Sequence, residues 1–157
     1  MRRSVLREEL KKRLPFATPW EEVLLNLRRT DDQLQAAFAR LFKAHGLSDP
    51  SYNVLRILRG EGAPLPCLEI AGRMVTRLPD VTRLIDRLES KGLVQRSRTE
   101  EDRRVVLIAI TAAGLTLLAS LDEPVQSLTR ELLGHLSHEE LDQLNALLVK
   151  ARRAPGS

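Results

Sequence analysis

Residues 68–111 read LEIAGRMVTRLPDVTRLIDRLESKGLVQRSRTEEDRRVVLIAIT, and the rest of the chain is placed relative to them. Two short runs with helical apolar spacing meet at a tight turn. Residues 67–74 read as a first helix, with Val75, Thr76 and Arg77 as the turn. Pro79 is expected at the first position of the second helix, where a missing N–H costs nothing. Asp80 is expected in the first turn, where a carboxylate complements the helix dipole. Val81, Leu84, Ile85 and Leu88 then share one face, and Thr82, Arg83, Asp86 and Arg87 the other. Gly92, after Lys91, supplies the left-handed residue that ends the helix. A polar, arginine-rich strand follows, then a tip at 100–104 and an apolar returning strand at 105–110. That order is a helix-turn-helix with a two-stranded wing.

Upstream, residues 20–44 place Val23, Leu24, Leu27, Leu34, Phe38, Leu41 and Phe42 three or four apart, and His45-Gly46 is a stop signal. Before them, 2–14 sets Val5, Leu6, Leu10 and Leu14 among charges, a short amphipathic helix that Pro15 and Pro19 are expected to break. Ser48, Asp49 and Pro50 open a helix bearing Tyr52, Val54, Leu55 and Leu58; Gly60, Gly62, Pro64 and Pro66 then predict a loop. Downstream, Thr111 can cap a long helix carrying Leu115, Leu117, Leu118, Leu121, Val125, Leu128, Leu132 and Leu133. Pro124 is expected to bend or split it, and Gly134 to loosen it. Ser137-His138-Glu139-Glu140 resembles a capping box before a last helix with Leu141, Leu144, Leu147, Leu148 and Val149, and the tail ARRAPGS is expected to fray.

The fold class expected is mainly α with a small β-wing. A chain of 157 residues, 43% hydrophobic, can bury one core; with aromatics at 3% that core must be aliphatic, which suits helices. The winged unit cannot cover all the apolar surface of the terminal helices. A stripe unburied within its own chain is commonly buried against a symmetry mate, so a homodimer is expected. The organisation read is an N-terminal extension at 1–19, a helical dimerisation domain at 20–46 and 112–153, a winged helix-turn-helix at 47–111, and a tail at 154–157. The single cysteine, Cys67, permits no intramolecular disulfide and fits a reducing compartment. No apolar run reaches the roughly 18 residues that span a bilayer, and MRRSVLREELKKRL lacks a signal peptide's apolar segment. A cytoplasmic protein without a membrane partner is expected.

The net charge of +4 fits a polyanion partner. A helix-turn-helix sends its turn and the start of its second helix into the major groove of double-stranded DNA. Thr76, Arg77, Pro79, Asp80, Thr82 and Arg83 occupy those positions. Arginine binds guanine through two hydrogen bonds, and aspartate can accept from a cytosine amino group. Arg73, Arg87, Arg96 and Arg98 are candidates for phosphate contacts, which orient without reading sequence, and Ser51 and Asn53 for further backbone contacts. At the tip, Asp102 and Arg104 leave the same face of the extended chain, so the carboxylate can orient the guanidinium towards a minor groove. Arg103 points elsewhere, to phosphate or solvent. A solvated, arginine-decorated face is the plainer alternative for all of these. A winged-helix module that binds only protein is another, but it has no need of arginines at the tip.

His45, His135 and His138 show no metal-ligand spacing, and the chain has no phosphate loop, nucleophile elbow or paired acids, so neither a cofactor nor an enzymatic activity is expected. Cys67, near a helix start, leaves a redox-sensing regulator as a further alternative.

LSDPSYNVLRIL at 47–58, VTRLIDRLESKGLV at 81–94, DRR at 102–104 and IAITAAG at 108–114 occur in one order and spacing. Together they resemble the multiple-antibiotic-resistance regulator (MarR) family of bacterial transcription factors, over about residues 20–153. The resemblance implies a mostly helical homodimer with two winged lobes, usually a repressor on a pseudo-palindromic operator. It implies release by a small phenolic or anionic effector or by cysteine oxidation; the family's peroxide-sensing branch carries its cysteine in the first long helix, where this chain has none. Leu78-Pro79-Asp80 departs from the small polar residues usual there, Leu115 replaces an arginine, and 2–14 is an extension many members lack.

Overall fold

The computed structural model describes residues 4–77, 80–98 and 105–153. The chain divides into two compact units, Met1–Asp49 and Pro50–Ser157.

The first unit holds α1 (Val5–Glu9) and α2 (Pro19–Ala44). α1 is much shorter than the run expected over 2–14. Ser4 caps it by accepting from the Arg7 N–H, and Lys11 adopts a left-handed φ of 50°, which a helix cannot accommodate. The Arg7 guanidinium then holds the returning chain, donating to the carbonyls of Lys12 (3.2 Å) and Arg13 (2.7 Å). Leu6 is buried; a Ser4 hydroxyl bond to Glu22 (2.5 Å) and a Glu9–Arg29 ion pair (3.0 Å) join α1 to α2. Pro19 does not break a helix but starts one. It stands first in α2 behind Thr18, whose hydroxyl accepts from the Glu21 N–H, while Glu21 accepts from the Ala17 N–H. α2 ends as expected, with His45 as C-cap and Gly46 at φ +70°. Its apolar stripe is unevenly covered: Phe42 is buried and stacks on Phe38, whereas Trp20, Val23 and Leu24 are 78%, 58% and 57% exposed.

α3 (Asp49–Glu61) starts on the last residue of the first unit, and the second runs on through β1 (Leu65–Pro66), α4 (Cys67–Arg73), α5 (Val81–Ser90), β2 (Val94–Arg98), β3 (Val106–Ile110), α6 (Ala112–Leu133) and α7 (His138–Arg152). The expected loop at 60–66 contains a strand. Leu65 pairs with Ile108 and Pro66 with Leu107, so the sheet has three strands in the order β1-β3-β2. Proline is tolerated because β1 lies at the edge. β2 and β3 pair from Val94↔Ile110 to Arg98↔Val106.

The core is aliphatic, as the composition requires. Val54, Leu55 and Leu58 of α3, Ile70 of α4, Leu84, Ile85 and Leu88 of α5, Val94, Ile108, and Leu118 and Leu121 of α6 are each at most 2% exposed. Each such side chain contributes roughly 1.5–3 kcal/mol by leaving water. α5 turns the predicted face inwards, but Asp80 is not in its first turn. Asp80 is the N-cap, accepting from the Arg83 N–H, and the helix begins one residue later at Val81. Pro79 lies outside the described residues.

Gly92 takes φ +69° after α5. There the chain is tied to the next long helix: Thr111 donates its N–H to the Leu93 carbonyl and its hydroxyl to the Gly92 carbonyl, and caps α6 at Gly114. Gly114 packs so closely on the Leu93 carbonyl that a Cβ would collide with it. Pro124 does not split α6, which runs unbroken to Leu133 with Gly134 as its C-cap. The capping box before α7 is complete: Ser137 accepts from the Glu140 N–H and Glu140 from the Ser137 N–H. No residue of α7 is buried.

Candidate nucleic-acid interface

α4, the turn and α5 form the helix-turn-helix, and β2 and β3 form the hairpin beside it. What sets the turn is a buried amide. Asn53, 7% exposed on α3, accepts the Val75 N–H at 3.0 Å. Asn53 is thereby a turn-holding residue, and Ser51 is also buried, so the expectation that both reach a DNA backbone gives way to packing. Asn53 interrupts the apolar run of α3, and that polar intrusion was the one signal of its role.

Thr76 and Arg77 in the turn and Asp80 at the N-cap are exposed, and Thr82, Arg83 and Arg87 are exposed on the side of α5 away from its buried face. Asp80, Arg83, Asp86 and Arg87 line one shallow groove along α5. Arg83 pairs with Asp80 at 3.0 Å yet keeps 83% of its side chain exposed, so its guanidinium can turn outward at little cost. Arg98 is exposed at the end of β2. Asp102, Arg103 and Arg104 lie outside the described residues.

Two predicted phosphate contacts are engaged within the chain. Arg73 bonds Glu61 (2.5 Å) and Glu69 (3.1 Å), hydrogen bonds that hold its guanidinium above its ordinary range. Arg96 on β2 bonds Asp86 (2.5 Å) and Glu89 (2.5 Å) of α5. Burial acts to lower the Arg96 guanidinium, but the hydrogen bonds from Asp86 and Glu89 outweigh it and leave the group raised. Sequence spacing hid most of this: Glu61 on α3, and Asp86 and Glu89 on α5, lie on elements other than the arginine they meet, and only Glu69–Arg73 falls at helical spacing.

Cys67, half-buried, lies 4.0 Å from the Thr82 hydroxyl. Among the described residues no cluster of three His, Cys, Asp or Glu side chains could hold a metal, and no helix is long and apolar enough to cross a membrane.

The geometry agrees with the comparisons to known proteins. The MarR family model matches residues 47–106. The HTH-type transcriptional regulator PecS of Dickeya dadantii (strain 3937) is 30% identical over 133 residues, covering 83% of this chain and 80% of that protein. The crystal structure of a MarR transcription factor from Planctomyces limnophilus is 44% identical, with a TM-score of 0.67, over 85% of this chain and 98% of that one. Bordetella bronchiseptica BpsR, whose DNA binding is regulated by 6-hydroxynicotinic acid, is 25% identical, with a TM-score of 0.74, over 83% of this chain and 98% of that one. With its winged helix-turn-helix and relatives similar over most of its length, this chain belongs to the MarR family and is a transcription regulator rather than an enzyme.

Proposed function

We propose that this chain is a sequence-specific repressor that binds a pseudo-palindromic operator as a homodimer and is released by a small anionic or phenolic effector. The observation that carries the reading is the division of α5. Its buried face is wholly aliphatic, and its outer face offers Thr82, Arg83 and Arg87 beside the exposed turn residues Thr76 and Arg77. In this reading Arg77 and Arg83 meet base edges, Thr76, Thr82 and Asp80 set the specificity around them, and Arg87 and Arg98 meet phosphates. At the tip, Arg104, oriented by Asp102, enters the flanking minor groove, and Arg103 meets phosphate or solvent.

Dimerisation through α2 and the C-terminal helices is supported by their uncovered apolar side chains, among them Trp20, Val23, Leu144 and Leu147. A dimer sets two recognition helices on one DNA face, about one helical turn apart. The effector class is supported by the similarity to BpsR. A regulator of this kind acts in the cytoplasm, where the DNA is.

Selection of bound sites from random duplexes tests the reading. Enrichment of an inverted repeat with half-sites roughly 10 base pairs apart is expected. Failure to enrich any sequence would overturn DNA recognition, and an asymmetric half-site bound at full affinity would overturn the dimeric geometry. Titration of the selected duplex complex with hydroxylated aromatic acids is expected to release DNA; no release across such a panel would leave a constitutive repressor.

A further inference from the structure

We propose that Arg96 is a positioning residue. It makes no contact with DNA, and it locks the wing to the recognition helix so that both reach the duplex in one fixed relation. The proposal rests on the DNA-binding reading above.

Three bonds converge on this one residue. Its backbone N–H donates to Glu89 Oε1 (3.0 Å), its Nη1 to Glu89 Oε2 (2.5 Å) and its Nη2 to Asp86 Oδ1 (2.5 Å). Asp86 and Glu89 stand three apart on α5 and so lie on one edge of that helix. A planar guanidinium suits two carboxylates approaching from different directions, which a single ammonium point charge does not.

The main-chain bond explains why the residue sits where it does. β2 is an outer strand of the sheet, with β3 on one side only. Residues on such an edge aim N–H groups away from the sheet, and each needs a partner. The Arg96 N–H finds Glu89, so α5 seals that edge through a side chain. β2 carries β3 by a register that includes Arg96↔Ile108, so a strand held at Arg96 orients both paired strands of the wing.

Electrostatics argues against a phosphate role. Two carboxylates surround one guanidinium, so the local charge is net negative. The Arg96 side chain is 28% exposed, less than those of Asp86 at 56% and Glu89 at 37%. A DNA phosphate would meet the carboxylates first and would have to displace two charge-assisted bonds to reach the arginine. Arg98, two residues on and exposed, has no carboxylate partner among the described residues and is the strand's cation offered to the duplex.

The decisive variant is Asp86→Asn/Glu89→Gln, which keeps the shapes and removes two negative charges near DNA. Simple electrostatics predicts tighter binding. Loss of the clamp predicts weaker binding, by about tenfold, of the order by which residues that contact no ligand modulate a distant equilibrium. The measurement is fluorescence anisotropy with the duplex recovered by selection, at fixed salt, after thermal melts have established that the variant is folded. Arg96→Lys serves as the second variant and is expected to weaken binding too, because its ammonium cannot span both carboxylates. Hydroxyl-radical footprints should lose the flanking protection given by the wing, while guanine protection in the major groove persists. Amide exchange over 94–98 should accelerate in both variants. Should the Asn/Gln variant bind as tightly as the wild type or more tightly, or keep the flanking protection, the clamp is overturned while DNA recognition stands. A wild type that binds no duplex overturns both.

Discussion

α5 and α7 are both capped, amphipathic helices of the same unit, yet they meet opposite fates. α5 has ten residues, and Val81, Leu84, Ile85 and Leu88 are all buried. α7 has fifteen, five of them the large apolar residues Leu141, Leu144, Leu147, Leu148 and Val149, and none is buried. The caps do not explain the difference. Asp80 holds one helix start, and the full Ser137–Glu140 box holds the other. Local chemistry therefore suffices to write a helix, whereas burial depends on whether the chain supplies a surface to lie against. α5 packs against β2 and α4, whereas among the described residues nothing buries a side chain of α7.

That contrast can be broken most directly at α7. Leu144→Glu with Leu148→Glu is expected to abolish self-association and, with it, tight operator binding. Sedimentation at micromolar concentration checks this, and a wild type that sediments as a stable monomer would end the dimer reading. At α5, Leu84→Ala removes a side chain 1% exposed and should cost about 2–5 kcal/mol by denaturant unfolding. The two sites should also differ in kind. The loss at Leu84 should not vary with protein concentration, while any loss from Leu144→Ala should shrink as concentration rises. The box before α7 is a smaller lever: Ser137→Ala should cost about 1 kcal/mol of helix stability and leave α5 unaffected.

The smallest effect concerns the pair that joins α3 to α6. Arg59 donates to both carboxylate oxygens of Asp122, at 2.9 and 2.7 Å. The hydrogen bond from Arg59, aided by its charge, holds the Asp122 carboxyl below its ordinary value of 3.8. A carboxyl depressed in the folded state stabilises fully above its unfolded value and loses that contribution as pH falls through the folded one. The melting temperature of the wild type should therefore exceed that of Asp122→Asn at neutral pH, and the gap should close on acidification below about 3.8. Because the pair is part-exposed, added salt should narrow the gap as well.

Much of the fold was legible because its signals are local. The inner face of α5, the left-handed Gly92, the Thr111 cap and the Ser137 box each follow from residues within a few positions of one another. Pro19 was misread because proline both ends and begins helices, and Thr18 in front of it was the deciding residue. β1 was missed because two residues, one of them proline, carry no periodicity. The candidate interface was legible as a set of exposed positions on α5 but not as a set of free charges. Neither the pairing of Arg96 with Asp86 and Glu89 nor the hold of Asn53 on Val75 over 22 residues leaves a periodic trace.

The self-pairing of arginines also bears on how steeply DNA binding should respond to ionic strength. Each cation that neutralises a phosphate releases condensed counterions and steepens the dependence on log salt by about 0.9. Arginines already matched to their own carboxylates release few. Arg73 and Arg96 are so matched, while Arg77, Arg87 and Arg98 have no carboxylate partner among the described residues. An operator complex built on this chain should therefore tolerate rising salt better than its arginine count suggests, with more of its affinity resting on base contacts and shape than on the ion atmosphere.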